Sequence, residues 1–105
     1  MIDDFIERLK EVSHASERQK KKELWDIEGI LHNQKFKFDL RPIKGNVKAG
    51  SFKTKAQKIV YDIKDQFIII DTEELHQYLE DKKTKIVNLE DLISELEWNI
   101  ILPKN

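Results

Sequence analysis

The apolar residues at the start of the chain recur with the spacing of a helix. They are Ile2, Phe5, Ile6, Leu9 and Val12. Intervals of three and four residues place them on one stripe, and acidic residues at its start and Lys20–Lys22 at its end match the helix dipole. The pattern predicts a helix from about Asp3 to about Lys22. Its apolar stripe stops at Val12, so residues 13–22 fit either a solvated helical extension or a loop.

Residues 24–41 predict a β-hairpin. Between Lys35 and Arg41 polar and apolar residues alternate strictly, which is typical of a strand with one solvent-facing side. Residues 24–31 fit both a strand and a helix, and a polar break at residues 32–34 separates them from the alternating run. We favour two paired strands and keep a helix over residues 24–31 as the alternative.

A second hairpin is predicted after a loop. Turn-forming residues punctuate the next stretch, which predicts a loop or an irregular ribbon over residues 43–54; they are Pro42, Gly45, Gly50 and Ser51. Residues 59–63 and 66–70 then fit two strands joined by a polar turn. The apolar run Phe67–Ile70 does not alternate, so we expect this strand to be buried on both faces in the middle of the sheet.

Two helices are predicted in the last third of the chain. Asp71 or Thr72 can cap the first, with Glu74 at the capping-box position for Asp71. Asn88 can cap the second, which has a well-formed apolar face. The residues of that face are Leu89, Leu92, Ile93 and Leu96.

Together these elements predict one α+β domain over residues 1–105. Ile86 and Val87 fit a short strand, and Trp98–Leu102 fit a terminal strand ended by Pro103. The expected architecture is an N-terminal helix, a mainly antiparallel sheet of about four strands, two short C-terminal helices and that terminal strand. A chain of 105 residues has the usual size of a single domain.

Composition favours a cytoplasmic protein. The chain has no cysteine, which excludes disulfides and thiolate zinc sites. Its first residues are acidic where a secretory signal is basic, and its apolar runs are far shorter than the roughly twenty residues of a membrane span. We therefore expect no membrane contact. The abundance of lysine and isoleucine is typical of AT-rich bacterial and phage genomes.

Basic residues are concentrated in the middle of the chain, where residues 44–58 include no acidic side chain. The candidate nucleic-acid contacts of this segment are Lys44, Lys48, Lys53, Lys55 and Lys58. Cations on a glycine-punctuated loop are what phosphate neutralisation requires, and we expect these side chains to be exposed and removable at little cost in stability. The scarcity of arginine and of stacking aromatic residues weakens this nucleic-acid interpretation.

The last third of the chain is acidic, with ten acidic and four basic residues between positions 65 and 105. The candidate acidic partner face consists of Glu73, Glu80, Asp81 and Glu95. Such a face would steer a basic protein partner toward this chain. The alternative is that these residues form the solvated outer faces of amphipathic helices, with some acidic residues serving as caps.

No metal-binding constellation is recognisable in the sequence. His14, His32 and His76 are scattered and lack the i, i+3 or i, i+4 spacing of a preassembled metal site. Asp71, Glu74 and His76 are explained by helix capping and a surface histidine. We expect no metal and no cofactor.

No catalytic constellation is recognisable either. A metal-dependent nuclease needs two acidic residues at strand ends with a lysine one or two residues away. Asp39 lies near a strand end, but the chain lacks this spacing; Asp62 and Lys64 belong to a hairpin strand and its turn. We expect no enzymatic activity.

The sequence therefore favours a small non-enzymatic binding protein of regulator or inhibitor type that acts through protein–protein contact. The alternative is a nucleic-acid-binding protein that uses the lysine-rich central loop. Trp25 and Trp98 are candidate interface residues, with a core position favoured for Trp98 and neither position favoured for Trp25. The oligomeric state is open, because the N-terminal apolar stripe can equally pack on a second copy.

Overall fold

The computed structural model describes residues 2–42, 46–48, 54–63 and 65–104. The helices of these residues are α1 (Ile2–Ile6), α2 (Glu17–Glu23), α3 (Thr72–Lys82) and α4 (Leu89–Glu95). The strands are β1 (Lys10–His14), β2 (Ile27–Leu31), β3 (Gln34–Pro42), β4 (Asn46–Lys48), β5 (Lys58–Ile63), β6 (Gln66–Asp71), β7 (Ile86–Asn88) and β8 (Asn99–Pro103). None of the described helices is long and apolar enough to cross a membrane.

Six strands form one sheet in the order β1, β2, β3, β5, β6, β8. Only the β3–β5 pair is parallel, and the other neighbouring pairs are antiparallel. β4 pairs with β7 in a separate two-stranded ribbon, so the predicted loop over residues 43–54 contains a short strand. The predicted mainly antiparallel α+β domain is confirmed. The prediction of about four strands is wrong, because a segment with a helical pattern forms β1.

Each face of the six-stranded sheet carries its own hydrophobic cluster. One face, which we call the helix-covered face, packs against α3, α4 and β7. Its buried residues are Ile59, Tyr61, Ile68, Ile70, Leu75, Leu79, Val87, Leu92 and Leu96. The opposite face, which we call the inner face, packs around Phe5 of α1. The ring of Phe5 is fully buried and meets Phe38 and Phe67 edge to face, at centroid distances of 5.3 and 5.6 Å.

The predicted N-terminal helix is much too long, because α1 ends at Ile6 and residues 10–14 form an edge strand. Phe5 and Leu9 are nevertheless buried on the inner face, and Val12 packs on the same cluster. The apolar residues of the predicted helix stripe thus lie on a short helix, on the turn after it and on a strand. Phe5, Leu9 and Val12 pack on the core of their own chain, which removes their use as a surface for a second copy.

A capping box that the apolar pattern does not reveal begins α2. The Ser16 hydroxyl accepts a hydrogen bond from the Gln19 backbone N–H at 3.1 Å, and the Gln19 side chain accepts one from the Ser16 N–H at 2.9 Å. No residue of α2 is buried. Residues 17–23 therefore form a solvated helix. It is separate from α1 and does not extend it, because β1 lies between the two helices.

Both predicted hairpins are confirmed. β2 and β3 are joined by His32 and Asn33, whose φ values of 50° and 67° are the left-handed values of a tight two-residue turn. β5 and β6 form the second hairpin, and Phe67–Ile70 are buried on both faces between β5 and β8, as predicted. Trp25 lies just before β2 and is 4% exposed, which makes it a core residue.

The two predicted C-terminal helices are confirmed, but their polar contacts differ. The Asp71 carboxylate caps α3 by accepting from the Glu74 N–H at 3.1 Å. The Glu74 carboxylate does not complete a capping box and instead accepts from the backbone N–H groups of Glu97 and Trp98. Asn88 precedes α4 without a side-chain capping hydrogen bond.

The buried hydroxyl of Tyr61 predicts a loss of stability in alkali. Tyr61 is fully buried, and its hydroxyl has no hydrogen-bond partner among the residues that the structure describes. Burial raises the pKa of Tyr61 far above its ordinary range; nearby Arg41 lowers it less, and Asp39 adds to the rise. The folded state therefore keeps the neutral phenol while the unfolded state ionises. Stability is intact below the pKa of an unfolded tyrosine and falls above it by about 1.4 kcal/mol per pH unit.

The measurement is denaturant unfolding of the wild type and of Tyr61→Phe between pH 8 and about pH 11. The variant removes a buried hydroxyl without a partner, so it should be at least as stable as the wild type at pH 8. The difference between the two proteins should widen in favour of the variant above about pH 10. Parallel pH profiles would show that Tyr61 is accessible to solvent.

Candidate functional site

An ion pair between the buried Lys58 and the half-buried Asp71 lies at one end of the six-stranded sheet. Lys58 Nζ is 2.7 Å from Asp71 Oδ1, and the Lys58 side chain is only 7% exposed. The ammonium also lies 3.6 Å from the ring centroid of Trp98 and 4.8 Å from that of Phe36. One carboxylate and two aromatic faces therefore surround a charge that water barely reaches.

Strand register brings these side chains together. Lys58 begins β5 directly opposite Asp71 at the end of β6, and it also lies opposite Phe38 of β3. Trp98 immediately precedes β8, next to β6. Sequence reasoning missed this pair, although the signal was present. A hairpin that pairs Ile63 with Gln66 places Lys58 opposite Asp71.

A cleft of about 450 Å³ opens beside the ion pair. Its walls include Lys55 and Gln57 on one side and Thr72, Glu73 and His76 of α3 on the other. The lining contains both acidic and basic side chains. The Thr72 hydroxyl is buried, with no hydrogen-bond partner in the described part of the chain. The described residues contain no group of three histidine, aspartate or glutamate side chains placed to hold a metal ion.

The structure describes the side chains of only Lys55 and Lys58 among the five predicted lysine contacts. Lys55 is exposed, as expected. Lys58 is 6% exposed, which makes the expectation of a removable surface side chain wrong at this position. The reason is that Lys58 lies within β5, where Asp71 neutralises it. Lys44 and Lys53 lie outside the described residues, and only the backbone of Lys48 is described, in β4.

The predicted acidic partner face is divided between two helices. Glu73, Glu80 and Asp81 are exposed on the outer side of α3, opposite the buried Leu75 and Leu79. Glu95 is exposed on α4 and lines a groove whose other side is formed by α3. That groove also contains Tyr78, Lys82 and Asp91, so Glu95 shares it with a basic residue of α3.

The remaining acidic candidates make internal contacts. Asp39 is 5% exposed, and its carboxylate lies 2.8 Å from Arg41 Nη2. Asp62 pairs with Lys104. Of the group Asp71, Glu74 and His76, the two acidic residues bind backbone N–H groups, and His76 is half-buried in the cleft rather than on the surface.

The two edges of the six-stranded sheet differ sharply. At one edge, β1 is polar along most of its length, and four of its five residues are exposed. Its pairing with β2 shifts register between Lys10 and Ser13, where Glu11 has a φ of 51°. Charged side chains and an irregular register are the devices by which proteins prevent another strand from pairing with an edge.

At the other edge, β8 is uncharged and largely apolar, with the sequence NIILP. Ile101 is 41% exposed, and the neighbouring Ile100 and Leu102 are half-buried on the inner face. β8 is paired on one side only, by β6. We call this outer side of β8 the open edge.

Hydrogen-bond alternation shows which groups the open edge offers. The Lys104 N–H donates to the Asp65 carbonyl, so residues 104, 102 and 100 point their backbone groups toward β6. Asn99, Ile101 and Pro103 therefore point outward. Proline has no N–H, and the Pro103 carbonyl accepts a hydrogen bond from Arg8. Among the described residues, the outward N–H and C=O groups of Asn99 and Ile101 have no backbone partner.

Sequence reasoning predicted the terminal strand but not its position at an open edge. The absence of charge in residues 99–103 and the proline at their end were the available signals, since proline is tolerated at sheet edges. Trp98 is half-buried beside Lys58 rather than fully in the core.

Comparison with known proteins gives no family for this chain. No protein-family model, no curated protein and no solved structure matches it.

Proposed function

We propose that this protein is a non-enzymatic binding protein of regulator or inhibitor type that acts through protein–protein contact along β8. The observation that carries the proposal is the open edge, with its outward backbone groups at Asn99 and Ile101 and its exposed Ile101 side chain. A protein segment that adds as a further strand would pair with those groups.

The contrast between the two edges supports this proposal. Soluble proteins usually protect exposed edges with charges, bulges or proline, because an unprotected edge pairs with other chains. β1 carries charges and an irregular register, whereas β8 carries no charge within its five residues. Main-chain pairing supplies affinity in strand addition, and alternate side chains such as Ile101 supply specificity.

The use of the charged residues supports a role other than catalysis. Catalytic carboxylates and lysines must reach a substrate. Asp39, Asp62 and Asp71 each pair with a basic side chain of the same chain. The Lys58–Asp71 pair joins β5 to β6, the Asp62–Lys104 pair joins β5 to the residue after β8, and the Asp39–Arg41 pair lies within β3, so each pair has a structural task.

Burial of Lys58 weighs against the nucleic-acid alternative. Phosphate contacts come from accessible cations, and Lys58 is enclosed by Asp71 and Trp98. Lys55 stays available at the surface. Adducts with nucleic acid are therefore one of the outcomes that the photo-crosslinking experiment distinguishes.

A photo-crosslinking amino acid placed at position 101 tests the contact in cells of the native host. The expected result is a crosslink from position 101 to one defined protein, identified by mass spectrometry, with little crosslinking from position 13. Ser13 is the matched control because it is exposed on β1 at the protected edge. Adducts that contain only nucleic acid, or equal protein adducts from both positions, would overturn the proposal.

A further inference from the structure

We infer that the partner of the open edge is a second copy of this chain, paired with it as antiparallel β8 strands about a twofold axis. This inference rests on the proposed contact along β8 and names its occupant. Twofold pairing is the commonest way in which identical chains associate, and it requires a surface that complements itself. The open edge meets that requirement in hydrogen bonding, in side-chain pairing and in charge.

Hydrogen bonding selects one register. Asn99 and Ile101 have free outward N–H and C=O groups, whereas the Pro103 carbonyl already accepts from Arg8. If Asn99 of each copy lies opposite Ile101 of the other, each of these two pairs exchanges two hydrogen bonds. All four donors and all four acceptors of the paired edges are then used. A register centred on Ile101 would instead require the occupied Pro103 carbonyls.

Side chains match in the same register. Ile100 lies opposite its own counterpart on the inner face, and Trp98 lies opposite Leu102 of the other copy. Ile100, Leu102 and Trp98 are all half-buried in the isolated chain and pack on one cluster. Cross-strand pairs of aromatic and β-branched residues are the favourable ones. The pairing would therefore cover apolar surface that the isolated chain leaves partly exposed.

Charge matches at the two ends of the strand. Glu97 is exposed just before β8, and Arg8 lies at the far end, where its guanidinium donates to the Pro103 carbonyl. The register that pairs Asn99 with Ile101 brings Glu97 of one copy beside Pro103 of the other. Each Glu97 therefore approaches the Arg8 of the opposite copy, and the twofold axis creates this contact twice. A strand of a different protein would need an acidic residue ahead of an uncharged run to match both features.

Sedimentation of the purified full chain over a range of concentrations tests the inference. The wild type is expected to sediment as a dimer. Arg8→Glu and Glu97→Arg each place like charges at both ends of the pairing, so each should raise the dimer dissociation constant at least about tenfold. An equal mixture of the two variants should recover the dimer, because both contacts of the mixed pair join opposite charges. Circular dichroism confirms that each variant is folded.

Hydrogen exchange adds a position-specific measurement. The amides of Asn99 and Ile101 should exchange slowly in the dimer and fast after dilution to the monomer, while Ile100 and Leu102 stay protected by β6 at both concentrations. Ile101→Lys should weaken the dimer at least about tenfold, and Ser13→Lys on β1 should not.

A wild type that is monomeric at every concentration up to about 1 mM overturns the inference. A dimer whose dissociation constant is unchanged by these substitutions also overturns it. Failure here is distinguishable from failure of the proposed function. A monomer that still crosslinks from position 101 to a different protein retains the contact along β8 and loses only the second copy as its partner.

Discussion

Replacing Asp71 with alanine is expected to lower the free energy of unfolding by about 3–5 kcal/mol. The substitution leaves the Lys58 ammonium, in a side chain that is 7% exposed, without its carboxylate. Loss of one partner of a buried ion pair is costly because the remaining charge has neither its counterion nor water. The same carboxylate caps α3, which adds about 1 kcal/mol to the loss.

Two further variants separate these contributions in denaturant unfolding. Asp71→Asn keeps an oxygen that can cap α3 and removes only the charge, so it should retain part of the lost stability. The double variant Lys58→Met/Asp71→Asn removes both charges from the site and should be more stable than Asp71→Ala. A loss below about 1 kcal/mol in Asp71→Ala would mean that water reaches Lys58 and that the ion pair lies at the surface.

Replacing Leu92 with alanine is expected to cost about 2–5 kcal/mol. Leu92 of α4 is fully buried on the helix-covered face, so its truncation leaves a cavity between α4 and the sheet. Chemical denaturation of both proteins measures the difference.

Leu24→Ala is the matched control for this substitution. It removes the same atoms from a side chain that is 37% exposed, and it should change stability by less than about 1 kcal/mol. Similar losses in the two variants would contradict the position of α4 on the sheet.

Local patterns were sufficient to predict the fold from residue 59 onward. Phe67–Ile70 form a continuous apolar run, and Leu89, Leu92, Ile93 and Leu96 repeat with a helical period, so each segment has one structural interpretation. The N-terminal segment has two structural interpretations. Its apolar stripe fits one helix, but the polar residues around Val12 also fit an exposed edge strand, and pairing with β2 decides in favour of the strand.

The candidate contact surface was less predictable, because strand order is a property of the whole chain. The sequence predicts a strand at residues 98–102, and Pro103 at its end is compatible with an edge position, but a central position for the strand fits the same residues. The Lys58–Asp71 pair follows from the register of a hairpin and was open to prediction. Charge and glycine content predict an exposed Lys58, but the alternating strand after it begins at Lys58 itself, and this strand position buries the side chain.

The contact between Glu74 and the start of β8 has a consequence for binding entropy. The Glu74 carboxylate, held in the first turn of α3, accepts from the N–H groups of Glu97 and Trp98, which fixes the chain where it enters the edge strand. An edge that is already ordered loses little conformational freedom when another strand pairs with it. In a pair of identical copies both edges are already ordered, so a short run of residues with few main-chain hydrogen bonds is enough for a specific complex.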